Sequence, residues 1–337
     1  MKTSIITLVY NHEDYVKEAL ASALVQSRRA DEIIIVDDAS TDASAQIVEG
    51  FIREHPGAGI RFVRNDRNLG VSGSFAKALA MAQGEALFMM AGDDVSDPGR
   101  LERSVAYLET HPSAMALVTN ADIIDERSLP QGCLDNCAAA TESVSLSLAG
   151  LRPGEYFLRG RSSCGATAAY RAELFRRFAP LRPGLYAEDD PCAFRAMLLG
   201  TCDFLPEPLI RWRRHSNNLS HGKGARRGPE MAAHFRKCEA MMDQMIDDAE
   251  VWVGNGGSPD IVAAALAGFR FQKAKWALWA VAHGRGLPLV AACRGVRALA
   301  VNAPSATAFY GEVWRPVLRL FVPFVLQRAL VRLRPSR

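Results

Sequence analysis

The sequence predicts an α/β fold: a mostly parallel sheet with helices on both faces, followed by a helical region. Three observations carry this expectation. Short β-branched apolar runs alternate with amphipathic stretches through the N-terminal third. Each run ends in polar or acidic residues. From Glu230 onward the apolar spacing is that of helices.

Taken in order, residues 4–9 are a short apolar run with strand character. Residues 13–26 place Val16, Leu20 and Leu24 at i, i+4 and i+8, in a helix that begins in acids. Strand character returns at 32–36 and ends in Asp37-Asp38, after which Ser40 or Thr41 would cap a helix over 42–53. A third strand, 60–63, leads through a turn at 65–70 into a helix near 74–83. The fourth, 86–90, ends at Gly92-Asp93-Asp94, and 115–119 reads as a fifth. The polar, Gly-rich stretch from there to about residue 160 shows no period that assigns it. Residues 188–199 read as a helix, and a strand runs through 203–205 and 208–212, its prolines suited to sheet edges or strand starts. Residues 217–228 have the composition of a mobile loop, and helical spacing covers 231–248, 261–283 and 312–334. The chain therefore divides into an α/β domain, 1–228, and a helical region, 229–337, that would face a membrane or a partner.

Composition narrows the function classes. The chain has 337 residues, 49% hydrophobic and 23% charged, which argues against a disordered or fibrous protein. Forty basic residues stand against 37 acidic ones, and a net charge of +3 is too small to imply a nucleic-acid partner. Seven cysteines without a C-x-x-C pair read as reduced thiols of a cytoplasmic protein. The run at 5–9 is too short for a signal peptide, and no stretch of about 18 uncharged apolar residues suggests a membrane span.

In an open parallel sheet, ligands bind beyond the carboxyl ends of the strands. Here those ends carry Tyr10-Asn11-His12, Asp37-Asp38, Arg64-Asn65-Asp66 and Asp93-Asp94. Converging carboxylates repel one another, and a divalent cation offsets that repulsion. Mg²⁺ or Mn²⁺ takes one or two carboxylates together with phosphate oxygens and water, so the rim suits a nucleoside diphosphate with its metal. Taken singly, Asp37-Asp38 would be turn and cap chemistry, and Glu188-Asp189-Asp190 would complement a helix dipole with Pro191 in the first turn.

Over about residues 3–221 the chain resembles the GT-A-fold, family 2 nucleotide-sugar glycosyltransferases. The resemblance rests on six pieces in the expected order. They are Ile5-Ile6-Thr7-Leu8-Val9-Tyr10-Asn11, then Ile35-Val36-Asp37-Asp38-Ala39-Ser40-Thr41-Asp42, then Asn68-Leu69-Gly70. Gly84-Glu85 with Gly92-Asp93-Asp94 follows, then Glu188-Asp189, then Arg213-Arg214-His215-Ser216-Asn217-Asn218-Leu219-Ser220. Two places depart from the family pattern: Leu8 and Val9 stand where Pro and Thr are common, and Phe75-Ala76-Lys77 stands near the family's Ala-Arg-Asn.

The resemblance implies an inverting, metal-dependent transfer of a sugar from a UDP- or dTDP-sugar to a hydroxyl. The acceptor would be a glycan or a lipid-linked glycan, as in bacterial surface polysaccharide synthesis. On this chain, Tyr10 and Asn11 would line the nucleotide pocket, Asp38 would accept the imide N–H of the base, and Asp93 would face the ribose or the metal. Asp94 and His215 would ligate Mg²⁺ or Mn²⁺, Arg213 and Arg214 would face the diphosphate, and Asp189, with Glu188 beside it, would be the base. Arg195 could orient Glu188.

Three alternatives stand beside this reading. A dinucleotide-dependent oxidoreductase needs a G-x-G-x-x-G turn after the first strand, and residues 9–13 supply none. A pyrophosphorylase needs a Gly-rich basic loop there, which is also missing. A non-catalytic nucleotide-sugar-binding or scaffold protein on the same fold is the remaining one. Residues 312–337 join an apolar stripe to clustered arginines, which suits either peripheral contact with the inner face of a membrane or packing on the α/β domain.

Overall fold

The computed structural model describes residues 1–149, 161, 163–216, 218 and 229–283. Its ten strands form one mixed sheet. The first four are β1 (Thr3–Val9), β2 (Glu32–Asp37), β3 (Ile60–Arg64) and β4 (Ala86–Ala91). They lie parallel in the order β3-β2-β1-β4. Crossovers α1 (Val16–Leu24), α2 (Ser44–Glu54) and α3 (Gly70–Met81) connect them, as parallel pairing requires.

The sheet continues through β9 (Ala168–Arg171), β6 (Ala114–Ile124), β10 (Thr201–Arg213) and β5 (Val95–Ser96). β9 is antiparallel to both β4 and β6, whereas β6 and β10 run parallel. Two short strands, β7 (Pro130–Leu134) and β8 (Val144–Leu146), pair with β6 and β10 and lie within the unassigned polar stretch. Helices α4 (Arg100–Thr110), α5 (Glu173–Arg176), α6 (Asp189–Leu199), α7 (Pro229–Gly254) and α8 (Pro259–His283) complete the described chain.

Strand alternation explains the two cores. Successive side chains point to opposite faces, so a central strand must be apolar on both. Ile33, Ile35, Phe88 and Met90 join Val16, Leu20, Val48, Leu101 and Val105 from α1, α2 and α4 on one face. Ile34, Val36, Leu87 and Met89 join Phe75, Phe194, Met245 and Phe269 from α3, α6, α7 and α8 on the other. The helices after residue 228 thus share an apolar core with the sheet. The predicted helix over 312–334 lies outside the described residues, as does nearly all of the loop at 217–228. Among the described residues, no helix is long and apolar enough to cross a membrane.

Three local expectations are corrected. Ser40 and Thr41 do not cap α2: Ser40 Oγ and the Thr41 N–H both bond to Asn11, and α2 starts at Ser44. Asp42 Oδ1 and Glu13 Oε2 instead accept the Ser44 and Ala43 N–H groups. The prolines of the predicted split strand lie in a single interior strand, β10, whose register against β6 shifts between Leu205 and Pro208 and again before Ile210. A bulge there accommodates the missing N–H donors that an edge position would otherwise excuse.

Arg195, expected near Glu188, turns to α7. Its Nε and Nη2 donate to the two Asp248 carboxylate oxygens at 2.7 and 2.8 Å, and Nη2 also reaches Ala179 O at 2.9 Å. Both side chains are buried, and removing one member of such a pair leaves an uncompensated charge. Arg195→Ala should therefore lower unfolding free energy by about 3–5 kcal/mol. Chemical denaturation read by circular dichroism checks this, and a loss within about 0.5 kcal/mol would contradict it.

Candidate active site

The site builds up at the C-terminal rim of the parallel strands. Beyond β1, Asn11 adopts φ 56, a left-handed conformation that Asn tolerates better than most residues. Its N–H donates to Ser40 Oγ at 2.9 Å and its Oδ1 accepts the Thr41 N–H at 2.8 Å. Asn11 thereby ties the exit of β1 to that of β2, and the preceding Tyr10 projects a ring that is 40% exposed.

Beyond β2 the two aspartates have different surroundings. Asp37 is fully buried, accepts the Ser40 N–H at 3.0 Å and lies 3.3 Å from Arg64 Nε. Asp38 organises the start of α3: its Oδ1 accepts from the Leu69 N–H at 2.7 Å and from Asn65 Nδ2 at 2.8 Å, and its Oδ2 accepts the Gly70 N–H at 2.8 Å. The pull of this carboxylate on the turn starts α3 at Gly70, ahead of the expected position near residue 74.

Beyond β4 lies a group of ligating atoms. His12, Asp93 and His215 each place a donor atom within 4.8 Å of the other two. Asp93 Oδ2 is 2.9 Å from His215 Nε2 and 3.6 Å from His12 Nε2, and it accepts from Asn218 Nδ2 at 3.2 Å. Burial works against the Asp93 anion, but the His12 and His215 imidazoles outweigh it and hold the carboxyl below its ordinary range. Burial lowers His12 in spite of Asp93, which favours the neutral imidazole that a metal needs. His12 Nδ1 is buried and has no hydrogen-bond partner among the described residues. The sequence reading placed His12 on the rim but gave it no role, because nothing local shows that β10 returns to face it.

Asp94 stands beside this group, not within it. Its Oδ1 accepts the Arg213 N–H at 2.8 Å, while its buried Oδ2 has no partner among the described residues. Burial, and then the neighbouring Asp93, push its pKa well above the ordinary value. The Arg213 guanidinium is engaged on every nitrogen. Nε donates to Asp93 O at 2.8 Å, Nη1 to Ser128 Oγ at 2.9 Å and Asp125 O at 3.1 Å, and Nη2 to Glu18 Oε2 at 2.6 Å. Held in this way, Arg213 clamps the aspartate turn, and Arg214 is the exposed cation of the pair, its guanidinium 5.6 Å from the Trp212 ring centre.

The third part is the start of α6. Asp189 Oδ2 accepts the Gly165 N–H at 3.3 Å and its Oδ1 accepts the Asp190 N–H at 2.9 Å. Burial, with Asp190 and Glu188 as further causes, raises the Asp189 pKa well above the carboxylate range, and burial raises Glu188 as well. The loop that carries Cys164 meets α6 through the Gly165 N–H, which Asp189 accepts. Burial, and then Asp189 and Asp94, push the Cys164 thiol to about 12, so it stays protonated. Arg100, fully buried, faces Asp94 and Cys164 and donates to the carbonyls of Met89, Ala166 and Ala168. Sequence reasoning missed Arg100, whose place in an amphipathic helix looks ordinary.

Gly165 explains how Glu188 fits. A Cβ at this position would lie 2.3 Å from Glu188 Oε1, so the buried Glu188 carboxyl keeps its place only beside a glycine. Gly165→Ala should push aside the Glu188 carboxyl next to Asp189 and lower kcat by about tenfold, since misplacement of about 1 Å can cost 10²-fold. Steady-state kinetics check this, and unchanged kcat would contradict it.

The glycosyl transferase family 2 model matches residues 4–178 of the chain. This protein belongs to that family. Among relatives of this family 2 protein, an uncharacterized glycosyltransferase of Nostoc sp. is 29% identical over 266 residues, covering 77% of this chain and 79% of the relative. A succinoglycan biosynthesis protein, ExoO, of Rhizobium meliloti is 31% identical over 126 residues, covering 37% of this chain and 35% of that protein.

Two solved structures share the fold of this family 2 protein. Staphylococcus aureus TarS, residues 1–349, in complex with UDP-GlcNAc has a TM-score of 0.59 at 18% identity, covering 94% of this chain and 92% of that one. The mannosyltransferase PcManGT of Pyrobaculum calidifontis, in complex with GDP-Man and Mn²⁺, has a TM-score of 0.53 at 19% identity, covering 98% and 83%. The expected GT-A fold is thus present.

Proposed function

We propose that this family 2 glycosyltransferase moves a sugar from a UDP- or dTDP-sugar to a hydroxyl of a glycan or lipid-linked acceptor, with inversion, in surface polysaccharide synthesis. One observation carries the reading. The metal-suited group His12, Asp93 and His215 lies beyond β4, and Arg100 bridges from Met89 O in β4 to Ala166 O, next to the Gly165 N–H that Asp189 accepts. The name of the Rhizobium relative and the nucleotide-sugar complexes of TarS and PcManGT support it.

Two imidazoles and one carboxylate, with donor atoms within 4.8 Å of one another, fit a divalent ion with mixed nitrogen and oxygen ligands. Mn²⁺ suits these donors better than Mg²⁺, which prefers oxygen throughout. When bound, the ion would supply positive charge against the departing diphosphate.

The chain's own residues do the rest. Tyr10 and Asp38 receive the base, and Asn11 holds the two strand exits in place between them. Arg213 fixes the Asp93–Asp94 turn, and Arg214 offers its charge to phosphate. Asp189 takes the proton of the acceptor hydroxyl as that oxygen attacks the anomeric carbon. Its raised proton affinity suits this task near neutral pH. Glu188 and Asp190 sustain that affinity by repulsion. A single displacement without an enzyme nucleophile inverts the sugar. The proposal keeps the protein cytoplasmic, with peripheral contact at the inner membrane face falling to residues outside the described set.

A panel of UDP- and dTDP-sugars incubated with Mn²⁺ and water or acceptor, read by released nucleoside diphosphate, tests the reaction class. Release from a UDP- or dTDP-sugar is expected. Binding without release from any donor would favour the non-catalytic alternative.

A further inference from the structure

We propose that Tyr15 is a positioning residue for the metal-suited group: its ring, braced on the Arg213 guanidinium, holds the His215 imidazole in ligating place beside Asp93 and His12. The inference rests on the metal-dependent reading above and adds the residue that keeps its two imidazoles together.

Tyr15 stands where a tyrosine serves no local purpose. It is the N-cap of α1, a position that favours Ser, Thr, Asp or Asn because their side-chain oxygens accept an orphan N–H. Its own side chain makes no capping hydrogen bond. The turn relies on the backbone instead: His12 O accepts the Tyr15 N–H at 2.9 Å and the Val16 N–H at 2.8 Å. His12, a member of the metal-suited group, is thereby tied to Tyr15 within one turn of chain.

The Tyr15 ring meets two groups from the far end of β10 and just beyond it. The Arg213 guanidinium carbon lies 4.8 Å from the ring centre, a cation–π contact. The His215 ring centre lies 4.9 Å away, with the two planes tilted by 39°. Arg213 is a firm support, because Asp93 O, Asp125 O, Ser128 Oγ and Glu18 Oε2 hold its nitrogens. Glu18 follows Tyr15 by three positions on α1, so one helix face grips the guanidinium with both side chains.

His215 needs such a support. Its N–H donates to Asn218 Oδ1, and its Nε2 lies 2.9 Å from Asp93 Oδ2. Neither bond by itself stops the imidazole from turning, whereas a flat ring packed against it resists that motion. The tolerance is small. Bonds of about 2.1 Å to one ion put any two donors no more than about 4.2 Å apart. The donors of His12, Asp93 and His215 lie within 4.8 Å of one another, so a swing of about 1 Å takes an imidazole out of the group. Tyr15 is half-buried and belongs to neither apolar core, so its removal opens no core cavity.

Mn²⁺ titration followed by electron paramagnetic resonance tests the proposal on the full chain, on Tyr15→Phe and on Tyr15→Leu. Phenylalanine keeps the flat ring, and leucine keeps only apolar bulk. Tyr15→Phe is expected to bind Mn²⁺ within about threefold of wild type, and Tyr15→Leu about 10- to 100-fold more weakly, the range for a metal ligand that loses its support. The nitrogen couplings of the bound ion supply a signature that general loosening does not: two imidazoles in the wild type and Tyr15→Phe, one in Tyr15→Leu. The metal-free melting temperature of Tyr15→Leu should match that of the wild type. Equal Mn²⁺ affinity in wild type and Tyr15→Leu, or an equal loss in both variants, would overturn the role of Tyr15 and leave the metal site standing. A lowered melting temperature with both imidazole couplings kept would mark Tyr15 as structural only and overturn it too. Failure of the wild type to bind Mn²⁺ would sink the metal reading along with the proposal.

Discussion

Asp189→Asn is expected to lower kcat by about 10²- to 10⁴-fold, the range for a lost general base, with nucleotide Kd within about twofold of wild type. The amide keeps the size of the carboxyl and can still accept the Gly165 N–H, so the loop that carries Cys164 and Gly165 stays in place. What it cannot do is take a proton. Separation of kcat from donor binding is therefore the signature of this variant. A variant that transfers sugar at a near wild-type rate would show that the base lies elsewhere.

The same residue sets a pH dependence. The base works ionised, and in the folded site its pKa lies well above the carboxylate range because of burial, Asp190 and Glu188. The rate should therefore rise with pH through a limb displaced upward from that of an ordinary aspartate. Glu188→Gln removes one like charge, so it should move that limb to lower pH. A limb that stays in place, or moves up, would contradict the assigned cause.

The second large effect concerns Asp93. Asp93→Asn keeps the side-chain shape but removes the charge shared by His12 and His215. Second-shell changes at metal sites typically weaken binding by about 10- to 100-fold, so removing a ligand carboxylate should weaken Mn²⁺ by at least about 100-fold. The variant should also lose the effect of Mn²⁺ on nucleotide binding. Equal Mn²⁺ affinity in variant and wild type would place the ion elsewhere. Asp94→Asn makes a useful comparison, since Asp94 lies beside the group and its Oδ1 is held by the Arg213 N–H.

The parts of this structure legible in the sequence are those with a local signature. Alternation of Ile33 to Val36 between the two cores is visible as a continuous apolar run, and the acids after β2 and β4 announce the rim. Asp189 was visible only through the family resemblance, because its place at a helix start reads by itself as dipole complement. The metal-suited group was only half visible, because His215 and Asp93 are 122 positions apart and meet only when β10 pairs with β6 and β5. Wide separation in sequence, 81 positions from Asp93 and 203 from His215, likewise hid His12. Arg195 shows the limit from the other side: its charge was noticed, but its partner, Asp248, lies 53 positions away on a helix whose docking no local pattern specifies. Pro208 misled because a missing donor is the same signal at an edge and at a bulge.

On the proposed reading, one rim holds a nucleoside diphosphate through a metal carried by His12, Asp93 and His215. Calorimetric titration of UDP into wild type and Asp93→Asn, each with Mn²⁺ and with a chelator, tests it most directly. Mn²⁺ should tighten UDP binding to the wild type by at least about tenfold, and the gain should disappear in Asp93→Asn. Identical UDP affinity under all four conditions, or no binding of UDP at all, would contradict it.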